Sequence, residues 1–309
     1  MAIDPYIGCN FSIPTQDCTL ETCCLAQSHF LYRPSYDGNV FFAIFFGVMI
    51  LPQLGLGIHY HTWGFSIGMI CGLVLECIGY VARVAIHNNP FASNPFLIYL
   101  ICLTIAPVFL TAAIYLCLTR IIGLYGQNLS RFQPKTIAIA FMASDFLSLV
   151  LQAIGGAIAD TANTHATAQV GADIMVAGLV LQAVSLTVFL VVVADFAWQC
   201  HRGVLDMHHQ KQRIRNGILF KIFMASLLFA TILVLIRSIF RAAELWQGFR
   251  GSIWNNEVDF MVLDGAMIAT ATLCLTALHP GPSFGDQWHA SNWSFKTSRV
   301  KSERQNLQL

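Results

Sequence analysis

The chain has 309 residues, of which 56% are hydrophobic and only 11% are charged, and its mean hydropathy is +0.63. Soluble domains carry about 25% charged residues, so this composition excludes a protein whose whole surface faces water. The formal net charge of +1 excludes the strongly basic field of a nucleic-acid-binding protein.

The first 38 residues are predicted to form an N-terminal cap rich in cysteine. Four of the ten cysteines lie there, namely Cys9, Cys18, Cys23 and Cys24. A short polar segment with this composition favours two disulfides in an oxidising compartment, with three possible connectivities. Metal binding by these cysteines is the alternative, although no Cys-x-x-Cys pair supports it. The cap also contains the sequon Asn10-Phe11-Ser12, a predicted glycosylation site.

Seven apolar segments follow, and each is long enough to cross a bilayer. A spanning helix needs about 20 mostly apolar residues. The segments that meet this criterion are 39–58, 64–86, 97–121, 136–159, 171–197, 217–240 and 258–278. The sequence therefore predicts an all-α, polytopic membrane protein, with one seven-helix bundle over residues 39–279. The polar residues 280–309 are predicted to form a disordered tail.

The distribution of Lys and Arg predicts how the bundle is inserted. Twelve of the 17 Lys and Arg residues lie in the 59–63, 120–135 and 198–221 loops and the tail. Cytosolic loops are enriched in these residues, so the N-terminus is predicted outside and the C-terminus in the cytosol. This orientation places the cysteines and Asn10 on the oxidising side.

Polar side chains inside the apolar segments are the candidates for function. Ionisable groups are costly in a membrane and usually face a bundle interior, a partner or a ligand. We predict a cavity that opens outward or laterally, whose ligand-binding residues are Glu76, Arg83, Asp145, Gln152, Arg237, Arg241, Glu244 and Asp264. The alternative is a structural network in which Glu76 and Asp264 neutralise Arg237 and Arg241.

Three histidines suggest a second chemistry. His59 and His61 end the first helix and His279 ends the last, so all three are predicted at the cytosolic face. Three imidazoles could hold a catalytic zinc ion, as in an intramembrane lipid hydrolase. The other interpretation is that they are interfacial residues. Neither a phosphate-binding glycine loop nor a serine nucleophile elbow is present, and no cofactor is predicted.

Several short motifs, in order and at consistent spacing over residues 30–282, resemble the fungal lipid-translocating exporter family. They are Tyr32-Arg33-Pro34-Ser35 with Asn39; Glu76-Cys77-Ile78-Gly79-Tyr80-Val81-Ala82-Arg83; Ala106-Pro107 with Ala112-Ala113-Ile114-Tyr115 and Arg120; Asp145 with Ser148, Gln152 and Gly155-Gly156; Gly178-Leu179 with Gln182; Arg237-Ser238-Ile239-Phe240-Arg241 with Glu244 and Gly248; and Glu257, Asp264 and His279-Pro280-Gly281. Ala157 stands where some members have a third glycine.

The resemblance implies a seven-helix protein of the fungal plasma membrane. Its members are associated with export or transbilayer movement of sphingoid long-chain bases and with resistance to toxic amphiphiles such as aminocholesterol. In this chain Glu76 and Asp264 could accept the ammonium group of such a base. The expected partners are membrane lipids and an amphiphilic small molecule. A lipid-sensing seven-helix receptor and the zinc hydrolase are the alternative functions.

Overall fold

The computed structural model describes residues 9, 13, 18–28, 30–125, 134–161, 165–202, 218–246, 248 and 251–284. Within these ranges the protein contains helices, turns and no strand. The seven long helices are α1 (Tyr36–Tyr60), α2 (Trp63–Asn88), α3 (Ser93–Tyr125), α4 (Pro134–Asp160), α5 (His165–Arg202), α6 (Ile218–Trp246) and α7 (Glu257–Ala277). A short helix, α8 (Pro280–Phe284), follows α7.

All seven long helices of the described chain contain a stretch long and apolar enough to cross a membrane. The predicted all-α, seven-helix membrane fold is therefore confirmed. Each predicted segment overlaps one helix, and the first six helices are longer than their segments. For example, α5 begins at His165 and continues to Arg202, because backbone hydrogen bonding can continue beyond the apolar stretch into the interface. Asn10 and residues 285–309 lie outside the described residues.

Helices α4 and α5 form a tight hairpin because glycines line their contact. A Cβ atom on Gly155 would lie 2.6 Å from the backbone of Gly171 and Met175, and one on Gly171 would lie 2.5 Å from the backbone of Ala159. Small residues allow membrane helices to approach closely. The two glycines of the Gly155-Gly156 motif therefore differ: Gly155 lies at the close backbone contact, whereas a Cβ on Gly156 would meet only the Met175 sulfur, at 3.8 Å.

Two helices contain a local departure from regular α-helical hydrogen bonding. In α7 the α-helix is interrupted by a π-helical segment over Met261–Ala266, and this segment contains Asp264. In α3 the ring of Pro107 removes one backbone N–H. Such interruptions are frequent at functional sites, and both occur beside buried charged residues described below.

The cap packs onto the end of the bundle where α2 ends and α3 begins. Cys9 is bonded to Cys24 and Cys18 to Cys23, which resolves the connectivity that the sequence left open. Cys18 and Cys23 pack against Phe91 in the α2–α3 loop. We call this end of the bundle the cap end.

Candidate functional site

Six of the eight predicted ligand residues lie together between α2, α6 and α7. We call this set the ionic cluster. Its members are each at most 1% exposed, and they are Glu76, Arg83, Arg237, Arg241, Glu244 and Asp264. Three arginines and three carboxylates give the ionic cluster balanced formal charges. Such balance is the condition under which charged groups are tolerated in a bundle interior.

Asp264 is the centre of the ion pairs in this cluster. Its Oδ1 atom lies 2.7 Å from Arg237 Nε and 4.0 Å from Arg241 Nε. Arg241 also donates to Glu244, three residues further along α6. These contacts join the cap-end half of α6 to the π-helical segment of α7, so the ionic cluster couples these two helices.

Arg237 makes a second contact that depends on Pro107. In a regular helix the carbonyl of Leu103 would accept a hydrogen bond from the N–H of residue 107, which proline lacks. Arg237 Nη2 donates to this Leu103 carbonyl. An arginine from α6 therefore satisfies a backbone acceptor that the sequence of α3 leaves open, as the absence of water in a bilayer requires.

Arg83 is held by groups from the cap and from α1. Its Nε donates to Asn39 Oδ1 at 3.0 Å, and its Nη2 donates to the Tyr32 hydroxyl at 3.1 Å. Burial raises the pKa of Tyr32, so the phenol stays neutral at physiological pH. The guanidinium carbon lies 3.9 Å from the centre of the Phe260 ring and 4.9 Å from that of Tyr99, in cation–π contact.

Aromatic side chains close the ionic cluster at the cap end. The rings of Phe30 and Trp254 stack with centroids 5.5 Å apart and an interplanar angle of 5°. Phe30 lies 5.4 Å from the Arg83 guanidinium and Trp254 lies 5.9 Å from that of Arg241. Both rings are at most 2% exposed, so the ionic cluster is covered at this end by packed side chains.

Glu76 is the exception within the ionic cluster. It lies within electrostatic range of Asp264, Arg237 and Arg241. Neither of its carboxyl oxygens has a hydrogen-bond partner among the described residues. Glu76 therefore adds a carboxyl group to the cluster but is not hydrogen-bonded to a specific neighbour.

Asp145 lies in a different place, between α3 and α4. Its Oδ2 atom accepts hydrogen bonds from Thr111 and Tyr115 of α3, both at 3.0 Å. Its Oδ1 atom has no hydrogen-bond partner in the described part of the chain, and the residue is 1% exposed. The structure thus separates Asp145 from the ionic cluster that the sequence grouped it with.

A lateral groove lies between α3 and α4, toward the cap end from Asp145. Its volume is about 330 Å³ and its floor includes Met175 of α5. Its walls are mainly apolar, with two polar side chains, Thr104 and Gln152. Ile101 and Ala153 of its rim are exposed on the outside of the bundle, so the groove opens sideways, toward the surrounding lipid. Of the eight predicted ligand residues, Gln152 is the one in its lining.

Gln152 also connects the groove to α5. Its Nε2 lies 3.5 Å from the Gln182 Oε1, at the outer limit of a hydrogen bond. The Gln152 oxygen and the Gln182 nitrogen have no hydrogen-bond partner among the described residues. The groove therefore has an amide acceptor available beside its apolar walls.

The three histidines do not form the alternative zinc site. Among the described residues, which include all three, no group of three or more His, Cys, Asp or Glu side chains is arranged to hold a metal ion. His279 Nδ1 accepts from the backbone N–H of Gly281 at 3.1 Å, and Nε2 lies 3.4 Å from the Thr62 hydroxyl. Burial lowers the pKa of His279 to about 4. This histidine links the ends of α1, α2 and α7.

Comparison with known proteins identifies the family. The model of the family described as RTA1 like protein matches residues 69–287. This chain belongs to the RTA1-like family. The match confirms the membership predicted from the motifs, and it contains all eight predicted ligand residues, whereas the cap and α1 precede it.

Relatives of this RTA1-like protein are found in Saccharomyces cerevisiae. This chain is 31% identical over 290 residues to the sphingoid long-chain base transporter RSB1, and the alignment covers 84% of this chain and 76% of that protein. It is 29% identical over 216 residues to protoporphyrin uptake protein 1, covering 70% and 67% of the two chains, and 27% identical over 213 residues to protein RTM1, covering 69% and 66%. No solved structure matches the chain.

Several contacts in this RTA1-like protein were not predicted as site residues. Thr111 and Tyr115, the donors to Asp145, are spaced four apart on α3, which is a detectable signal for one helix face. Tyr32 and Phe260, which surround Arg83, gave no such signal because they lie on different elements. Pro107 was noted as part of a motif, and the partner of the Leu103 carbonyl that it frees could not be read from one helix.

Proposed function

We propose that this protein binds an amphiphilic lipid from the bilayer and assists its movement between the two leaflets, toward export. The observation that carries the proposal is the lateral groove between α3 and α4. A groove that opens to lipid lets an apolar chain enter without crossing water. Among the relatives, one is named for transport of a sphingoid long-chain base, so such a base is the first substrate to test.

We propose different roles for the predicted ligand residues. The ionic cluster is balanced in charge and closed by aromatic packing, and it serves to hold α2, α6 and α7 in register. Gln152 lines the groove, Asp145 lies four residues before the lining residue Leu149 on α4, and both contribute to ligand binding. Breaking a buried ion pair costs about 3–5 kcal/mol, so variation of the ionic cluster is expected to affect folding before it affects transport.

We also propose the plasma membrane as the location, with the cap outside and the C-terminus in the cytosol. The excess of Lys and Arg in the loops opposite the cap supports this orientation. The two disulfides of the cap fit an oxidising compartment. Efflux of toxic amphiphiles from this membrane would confer resistance to them.

The experiment is a flux assay with purified protein in lipid vesicles. Sphingosine with a fluorophore at the end of its chain is added to one leaflet, and its appearance in the other leaflet is measured. The protein should accelerate this movement above the rate in protein-free vesicles. The Gly156→Leu variant, whose new side chain enters the groove, should move the probe more slowly at equal protein content.

Two results would oppose the proposal. Movement at the protein-free rate would remove the transport function. Saturable binding of sphingosine without movement would instead favour the lipid-sensing receptor. Recovery of Gly156→Leu in the folded form is checked by gel filtration in detergent, so that a slow rate reports the filled groove.

A further inference from the structure

Asp145 differs from the other buried carboxylates in its charge environment. Asp264 and Glu244 each have an arginine in ion-pair contact, and Glu76 lies in the field of two arginines. In the described part of the chain no Lys, Arg or His forms an ion pair with Asp145. Its neighbours on α3 are the hydroxyls of Thr111 and Tyr115. Among the described residues, Asp145 therefore has no cationic partner.

Asp145 lies on the same helix as lining residues of the groove and close to them. Ser148 and Gln152 follow it on the same buried face of α4, three and seven residues along. Leu149, one turn from Asp145, already lines the groove, and so does Gln152. A molecule with its apolar part in the groove would have its polar end directed along this face toward Asp145.

The side facing α5 is also neutral. Gln182 and Ser185 are the buried polar residues of α5 at this level, and the Ser185 hydroxyl lies close enough to the Asp145 carboxylate to donate a hydrogen bond to it. In the described part of the chain, Asp145 Oδ1 still has an acceptor position available. An ammonium group carries three donors, and these oxygens provide acceptors for it.

We infer that Asp145 is the acceptor for the positively charged headgroup of a single-chain amphiphile whose apolar chain occupies the lateral groove. This inference rests on the proposed function and narrows its substrate class to cationic amphiphiles. The groove volume of about 330 Å³ is at the lower end of ligand pockets, which span roughly 300–1,000 Å³, and suits one chain. This assignment places the ammonium site at Asp145 rather than at Glu76 and Asp264, because Asp264 already has two arginine partners.

The test compares two ligands with the same chain and different headgroups. Binding of radiolabelled octadecylamine and octadecanol is measured on the full protein in nanodiscs, with protein-free discs subtracted. The wild-type protein should bind the amine at least about tenfold more tightly, because charge-assisted hydrogen bonds form only to the ammonium. Asp145→Asn should lose this preference and bind the alcohol as before.

Two further variants separate the headgroup site from the groove. Gly156→Leu should weaken binding of both ligands, because it removes space for the shared chain. Asp173→Asn removes an exposed carboxylate from α5 and should change neither affinity. An amine preference that survives Asp145→Asn, or that disappears in Glu76→Gln, would overturn the assignment.

A measurement on the wild-type protein covers the case in which Asp145→Asn does not fold. Octadecylamine with a diazirine beside its amino group is photolysed in the nanodiscs, and the labelled peptides are sequenced. Labelling should fall on α3 and α4 near Thr111 and Asp145, whereas labelling confined to α2 and α7 would refute the inference. Failure of sphingosine flux with the amine preference intact would remove the transport function and leave the headgroup site standing.

Discussion

Arg237 on α6 and Pro107 on α3 complement each other across a helix interface. The proline leaves the Leu103 carbonyl without its helical partner, and the Arg237 guanidinium donates to that carbonyl while its Nε pairs with Asp264. One side chain therefore links α3, α6 and α7. In a bilayer, where water cannot supply the missing hydrogen bond, this arrangement lets a kinked helix be stable.

This relationship predicts non-additive effects of two substitutions. Arg237→Lys keeps a positive charge for Asp264 but loses the planar group that reaches two acceptors at once. Pro107→Ala restores the helical N–H for the Leu103 carbonyl. Arg237→Lys should therefore be less destabilising in the Pro107→Ala background, by about 0.5–1.5 kcal/mol, the net contribution of one hydrogen bond.

The measurement is a double-mutant cycle on thermal unfolding in detergent, over the four proteins. Pro52→Ala on α1, a proline in a different helix, is the matched control and should be additive with Arg237→Lys. Equal costs of Arg237→Lys in both backgrounds would show that the carbonyl contact does not contribute to stability.

Asp264 and Glu76 should respond differently to neutralisation. Asp264→Asn removes the charge facing Arg237 and Arg241, so it should destabilise the protein by about 3–5 kcal/mol. Glu76→Gln removes no hydrogen bond and should cost about 1 kcal/mol or less. Yield of monodisperse protein and melting temperature measure the difference. Equal loss in the two variants would show that Glu76 is also an essential part of the network.

Gly155 and Gly156 are adjacent residues with opposite expected tolerance. Gly155→Ala would place a methyl group 2.6 Å from the backbone of α5, which the hairpin can accommodate only by separating its helices. Gly156→Ala meets only the Met175 sulfur at 3.8 Å, and alanine favours helix by up to about 1 kcal/mol over glycine.

Melting curves of the two single variants decide this point. Gly155→Ala should lower the melting temperature strongly, and Gly156→Ala should leave it unchanged or raise it. The reverse order would mean that the α4–α5 contact is not as close as described.

His279 should make the stability of the protein depend on pH. Burial lowers its pKa to about 4 in the folded state, whereas an exposed histidine has a pKa near 6.5. Above pH 6.5 both states are neutral and the full stability is present. As pH falls from about 6.5 toward 4, the unfolded state takes up a proton that the folded state does not, so stability is lost.

The readout is the melting temperature at pH 7.5 and at pH 5 for the wild type and for His279→Asn. Asparagine can still accept from the Gly281 N–H but does not titrate, so the variant should lose less stability on acidification. Parallel pH profiles of the two proteins would assign the acid sensitivity to other groups.

The sequons test the predicted orientation. Protein expressed in yeast should carry a sugar at Asn10, which glycosidase treatment or Asn10→Gln removes with a shift on a gel. Asn128→Gln should give no shift, because the sequon Asn128-Leu129-Ser130 lies in the 120–135 loop, which is predicted to be cytosolic. A sugar at Asn128 without one at Asn10 would invert the topology.

The number and approximate position of the spanning helices follow from the sequence alone, because apolarity over about 20 residues is a local property of the chain. The sequence also indicated that Glu76, Arg83, Asp145, Gln152, Arg237, Arg241, Glu244 and Asp264 are directed inward, since exposure of such groups to lipid is costly. All eight are at most 4% exposed.

The division of these residues between the ionic cluster and the groove region is seen only in the tertiary structure. The structure pairs Arg237 with Asp264 and the Leu103 carbonyl, and it leaves Asp145 with hydroxyl neighbours beside a lateral groove. In the structure Cys9 is also paired with Cys24, and Cys18 with Cys23. These outcomes depend on which helix faces and loops meet, and such contacts join residues that are up to 134 positions apart in the chain. No pattern within a single helix encodes the contacts between helices, because the two partners lie on different helices.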